Sequence, residues 1–199
     1  MSKFSEMYVN AIDSFTEKLG WISQILTVIV VVIGFMNVVL RYVGFMIGIR
    51  LTSNLIIELQ WYLYSLVFVF SFAYILKHNI NVRVDFLYGQ WPKRRQVWVD
   101  FIGNFFFLIP FLILGSYIAW PAILQSWGLR PGGNWGPMEW SPDPSGLPRA
   151  PIKTMIIFGF MTLLLQAISD QVKYWWFLRG KADDEVLKVQ EHDAPLRIE

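Results

Sequence analysis

Few residues in this chain could do chemistry, and most of them sit at the ends of apolar runs. Asn37 and Arg41 stand four apart with Gly34 on the same helical face, and Glu58 opens the next apolar run at the same depth. A cation and a carboxylate at the edge of a bilayer core seek partners. The expectation is an Arg41–Glu58 ion pair that fixes two helices; a substrate or proton site, or snorkelling of Arg41 to headgroups, are the alternatives. Asp100 and Asn104 repeat the spacing beside Gly103, with Asp100 able to reach Arg83 or the cluster Lys93, Arg94, Arg95. Gly159, Thr162, Gln166, Asp170 and Lys173 follow at spacings of three and four, so one helix face carries them all. That stripe is expected to face other helices, with Gln166 hydrogen-bonding across and Asp170 able to pair with Lys173.

None of these sets reads as a catalytic centre. There is no G-x-S-x-G, no H-E-x-x-H and no phosphate-cradling glycine loop. The chain has no cysteine, which excludes disulfides, thiolate ligands and cysteine nucleophiles. Its two histidines, His78 and His192, fall in or near aqueous segments, against a histidine-ligated metal or haem in the membrane. The expectation is a protein that is not an enzyme and holds no cofactor. Phe101, Phe105, Phe106, Phe107 and Phe111, around Pro110, read as a surface for lipid or a partner helix rather than a cofactor pocket.

The elements that must position these residues follow from charge-free runs: Lys18 to Arg41, Glu58 to Lys77, Asp100 to Arg130 and Lys153 to Asp170. A helix needs about 20 apolar residues to cross a bilayer core of about 30 Å. The composition agrees, at 55% hydrophobic and 17% aromatic residues against 16% charged. The formal net charge of +2 is too small to argue for nucleic acid. The fold class is therefore all-α: a polytopic membrane protein with four transmembrane helices at about 20–43, 57–77, 97–120 and 152–177. Trp21, Tyr42, Trp61, Tyr62, Trp98, Trp120, Trp175 and Trp176 mark span ends, as amphipathic rings do at headgroup level.

The connections differ in character. Residues 1–19 read as an amphipathic helix lying on the membrane surface, with Phe4, Tyr8, Ile12 and Phe15 at helical spacing. It does not read as a signal peptide, because the apolar run that follows is too long and lacks a cleavage site. Segment 79–96 sets Phe86, Leu87, Tyr88 and Trp91 against Arg83, Asp85 and Lys93–Arg95, and reads as an interfacial cytoplasmic anchor. Three adjacent cations near anionic headgroups are worth about 1 kcal/mol each. Segment 121–151 is rich in proline and glycine, with Trp127, Trp135 and Trp140 interleaved. Those breakers forbid long regular elements, while the tryptophans argue for an ordered cap. Residues 178–199 form a polar tail. Lysine and arginine concentrate near both termini and in the middle connection, so the positive-inside rule places these in the cytoplasm. No internal repeat of the kind found in self-sufficient transporters stands out.

Several ordered pieces resemble a known family. Asn37-Val38-Val39-Leu40-Arg41-Tyr42 closes the first span, and Glu58-Leu59-Gln60-Trp61-Tyr62-Leu63-Tyr64 opens the second. Asn81-Val82-Arg83-Val84-Asp85-Phe86-Leu87-Tyr88, Val99-Asp100-Phe101-Ile102-Gly103 and the proline-rich stretch Ser141–Pro148 follow in order. The set resembles the small, DctQ-like membrane subunit of tripartite ATP-independent periplasmic (TRAP) transporters. Asn79-Ile80-Asn81 departs from the pattern, where such subunits often carry Gly-x-His.

The resemblance implies a three-part importer in the inner membrane of a bacterium. A periplasmic binding protein captures an organic acid, and the long loop resembles that of a branch linked with keto and hydroxy acids. A large membrane subunit carries the substrate and sodium sites and moves as an elevator. The small subunit scaffolds it, and no substrate or sodium ligand carries over onto this chain. Trp127, Trp135 and Trp140 are candidates for docking of the binding protein. Asn37, Asp100, Gln166 and Asp170 are candidates for helix packing or the partner face. Membrane lipids are the remaining expected partner. An accessory subunit of another membrane complex and an enzyme acting on lipid are the competing readings.

Overall fold

A computed structural model describes residues 3–80 and 88–180. Its helices are α1 (Lys3–Ile47), α2 (Asn54–Lys77), α3 (Lys93–Gly103), α4 (Ile109–Ser126) and α5 (Ala150–Leu178). A π-helical turn, Asn104–Leu108, joins α3 to α4 without a break, so residues 93–126 form one rod. Four helices are long and apolar enough to cross a membrane: α1, α2, the α3–α4 rod and α5. The described residues contain no strand, and their only β contacts are isolated bridges in the long loop.

The first helix is longer than a span. Its 45 residues extend ~68 Å at ~1.5 Å per residue, more than twice a bilayer core of about 30 Å. The expected division between a surface helix at 1–19 and a span at 20–43 leaves no break in the backbone. Gly20 stands at that junction but does not interrupt the helix. A Cβ there would collide with the Tyr74 ring, so glycine admits α2 against α1. Val9, Thr16, Leu19, Gly20 and Ser23 are buried along this half of the helix. They hold it to the bundle on both sides of the junction.

Helix α5 is the hub, packing against α1, α2, α3 and α4, while α1 and α2 pack along each other. Close approach again uses a small residue: a Cβ at Gly159 would lie 2.9 Å from Val69 Cγ1. Phe70 and Phe158 meet edge to face with ring centroids 5.7 Å apart. The fully buried apolar core is small, and most large apolar side chains point outward, among them Phe35, Phe45, Phe107 and Tyr117. A soluble protein would not show so much apolar surface; a bilayer or a partner helix covers it.

Candidate functional site

The polar stripe of α5 is turned wholly inward. Gly159, Thr162, Gln166, Asp170 and Lys173 are all buried. The Lys173 ammonium donates to Asp13 Oδ1 at 2.9 Å and to Asp170 Oδ1 at 3.0 Å. Gln166 Nε2 donates to the same two carboxylates, at 3.2 and 3.0 Å, and its Oε1 accepts from Thr16 Oγ1 at 2.8 Å. Beside this cluster, Lys77 Nζ donates to Glu17 Oε1 at 2.6 Å and to the Asp13 carbonyl at 3.0 Å. His78 Nε2 also lies 2.8 Å from Glu17 Oε1. Three helices are thus tied by charge-assisted bonds, which are stronger than neutral ones. Inside a bilayer such groups must find partners within the protein, and here they find one another.

A second knot lies at the opposite end, under the loop between α4 and α5. Glu58, at the start of α2, is buried and accepts from the Ser141 hydroxyl and from the Leu147 backbone N–H. One carboxylate thereby stitches both arms of the 141–147 turn to the second span. Glu139 Oε2 accepts from Lys153 Nζ and from Ser126 Oγ, both at 2.5 Å, clamping the loop to the ends of α4 and α5. The Lys153 ammonium, and after it the Ser126 hydroxyl, holds the Glu139 carboxyl below the usual carboxylate range. Bridges pair Leu129 with Trp135 and Trp140 with Pro148. Gly128 takes φ 107°, and a Cβ there would strike the Gly136 carbonyl, so only glycine lets these arms of the loop close. The Trp127 indole N–H donates to Thr154 Oγ1 at 2.9 Å, while Trp135 and Trp140 stand 66% and 59% exposed.

This ordered set of four membrane-length helices, with one long clamped loop before the last, can be compared with known proteins. A family model for the DctQ component of tripartite ATP-independent periplasmic transporters matches residues 30–176. The chain belongs to the DctQ family. Comparison with curated proteins and with solved structures gives no match. A DctQ chain is a component of a transporter that works with other TRAP components, and this one has the helices of a multi-pass membrane protein.

In this DctQ chain the expected Arg41–Glu58 ion pair is corrected. The Glu58 carboxylate is taken up by Ser141 and Leu147, with Arg149 the cation nearby. Arg41 is exposed, its guanidinium 6.0 Å from the Tyr42 ring centroid. The reason is that the loop folds back over the start of α2 and reaches Glu58 first. Asn37 does bond across helices, its Nδ2 donating to Gln60 Oε1 at 3.3 Å. Asp100 accepts from the Tyr88 hydroxyl at 2.6 Å. Asn104 Nδ2 donates to the Ala167 carbonyl at 2.8 Å. Arg83 and Asp85 lie outside the described residues. Lys93, Arg94, Arg95 and Trp91 are exposed around the start of α3.

Sequence reasoning missed Asp13, Glu17 and Lys77 as members of the inner cluster, and Glu139 with Lys153 as the loop clamp. Asp13 and Glu17 do stand four apart, a signal of one shared helix face. Among the described residues no group of three or more His, Asp or Glu is placed to hold a metal ion.

Proposed function

We propose that this chain is the small subunit of a TRAP importer of organic acids, serving as the fixed frame for a large sodium-coupled elevator subunit. The carrying observation is a DctQ-family chain whose inner-cluster charges are spent on each other. Asp13, Glu17, Lys77, Asp170 and Lys173 bond within the bundle, so they stiffen a frame rather than line a path. Its outer faces carry apolar side chains such as Phe35, Phe107, Phe111 and Tyr117, suited to lipid and to the helices of a larger subunit.

In this reading the protein sits in a bacterial inner membrane with both termini in the cytoplasm, following its lysine and arginine distribution. Segment 79–96, with Arg83, Asp85, Trp91 and Lys93–Arg95, anchors the frame at the inner leaflet. Asn37, Asp100, Gln166 and Asp170 set the register of the helices against one another. The loop between α4 and α5 faces the periplasm, and its exposed Trp127, Trp135 and Trp140 offer a docking surface to the substrate-binding protein. Aromatic side chains on a pre-ordered loop suit recognition, because little entropy is lost on binding. The long loop resembles that of a branch linked with keto and hydroxy acids, which supports these as the acids captured by the binding protein.

The test is uptake of labelled organic acids by cells lacking this chain, with the other two components intact. Loss of uptake, restored by returning the chain, is expected. Undiminished uptake without it would contradict the scaffold role.

A further inference from the structure

Where α3 begins and α5 ends, the two helices lie side by side. Val97 of α3 packs against Tyr174, with Phe101, Phe177 and Leu178 around them. Phe101 continues the contact, 5.9 Å from the Trp98 ring and 6.1 Å from the Trp175 ring. This seam brings two sets of cations to one end of the bundle. Lys93, Arg94 and Arg95 occupy the first turn of α3, one turn before Val97, and all are exposed. Arg179 follows the last residue of α5 and is exposed, its guanidinium 4.3 Å over the Trp175 ring. Trp91, Trp98 and Trp175 stand 39%, 46% and 43% exposed around them.

Among the described residues the patch is also unbalanced, Asp85, Asp183, Asp184 and Glu185 lying outside them. Between residues 88 and 103 the sole acid is Asp100, which accepts from Tyr88, and between 171 and 180 there is none. Lys173 belongs to the inner cluster. Arg94, Arg95 and Arg179 are exposed, and among the described residues no ion pair joins any of them to an acidic side chain.

We propose that this cationic, tryptophan-rimmed end is a binding surface for the phosphate headgroups of anionic phospholipid. Arginine presents a planar fork that matches phosphate oxygens, and stacking on Trp175 fixes one fork in place. Tryptophan settles at the depth where headgroups meet acyl chains, so the three rings set the arginines at phosphate level. An acidic peptide would match the charge but would leave the rings without an apolar layer. The surface requires only that the chain sits in a bilayer, and stands whether or not the importer reading does.

The experiment is native mass spectrometry of the full chain, released from mixed micelles of equal phosphatidylglycerol and phosphatidylcholine. Each cation near an anionic surface is worth about 1 kcal/mol, or roughly five-fold in affinity. The wild-type chain is expected to retain phosphatidylglycerol over phosphatidylcholine by on the order of ten-fold or more. The triple variant R94Q/R95Q/R179Q should fall to within about two-fold, and R179Q alone should lose part of the preference. R94K/R95K/R179K should keep most of it, which separates loss of charge from loss of fold. A wild-type chain without preference, or a glutamine variant that keeps it, would overturn the proposal. So would a preference abolished equally by the lysine variant with helix content unchanged.

Discussion

Lys173 of α5 lies 2.9 Å from Asp13 of α1, joining two residues 160 positions apart in the sequence. The pair is buried on the lysine side and shared with Asp170, so one ammonium answers two carboxylates. It ties the N-terminal half of α1 to the hub of the bundle.

Removing the lysine should cost far more than removing one carboxylate. Lys173→Gln leaves Asp13 and Asp170 facing each other in a water-poor site, and breaking a buried pair this way typically costs about 3–5 kcal/mol. Asp13→Asn leaves the Lys173–Asp170 pair intact and should cost less than half as much. Thermal unfolding of both variants in mild detergent gives the order; equal shifts would contradict the shared-cation arrangement.

Gly20 and Gly159 should not tolerate bulk. A Cβ at Gly20 meets the Tyr74 ring, and one at Gly159 meets Val69 Cγ1 at 2.9 Å. Gly20→Val and Gly159→Val should each destabilise the bundle by about 1–3 kcal/mol, the usual cost of overpacking. Gly103, with open space where a Cβ would stand, should accept alanine with little change. Unfolding midpoints of the three variants, measured side by side, check this.

Much of this architecture is legible in the sequence because charge cannot be left unpaired in a bilayer. Three of the four charge-free runs fall within long helices and the one from Asp100 to Arg130 runs past the end of α4 at Ser126, while the α5 stripe from Gly159 to Lys173 announces a buried face through its spacing. Spacing gives depth and face, however, not partner. Glu58 and Arg41 share a depth, yet Glu58 bonds to a loop distant in sequence, because proline and glycine between Pro121 and Pro151 erase the periodicity that would reveal a fold-back. Asp13 and Glu17 read as the polar side of a surface helix. Their role emerges only when α1 runs unbroken through Gly20 and turns that side onto Lys173 and Lys77.

The outer loop should depend on Glu58 and not on Arg41. Glu58→Gln weakens the bonds to Ser141 and to the Leu147 N–H, and should speed proteolytic nicking between residues 141 and 147 several-fold. Arg41→Gln should leave nicking at the wild-type rate. Limited proteolysis of vesicles with the loop side outward distinguishes them, and a loop destabilised equally by both would restore the Arg41–Glu58 pairing.

Acid should loosen the same loop through Glu139. Its carboxyl is held below the ordinary range by Lys153 and Ser126. The folded value lies under the unfolded one, about 4.3 for a free glutamate. The clamp's contribution is therefore complete above that value and is lost as pH falls through the lower, folded value. Protection of the amides at residues 127–149 against exchange, taken relative to the intrinsic rate at each pH, should fall below about pH 4 in the wild-type chain. Glu139→Gln should lower that protection already at neutral pH and make it less dependent on acid.

Docking by the loop predicts that Trp135→Ala together with Trp140→Ala lowers binding-protein-dependent uptake while the membrane complex still assembles. Unchanged docking and uptake would assign these rings to packing alone.

If this chain is the frame of a larger transporting subunit, the most direct measurement is of its company in the native membrane. The tagged chain, extracted in mild detergent and purified in one step, is expected to bring down a stoichiometric partner of roughly a dozen spans, identified by mass spectrometry. A chain that purifies alone, or with a redox or lipid-modifying partner, would contradict the scaffold role.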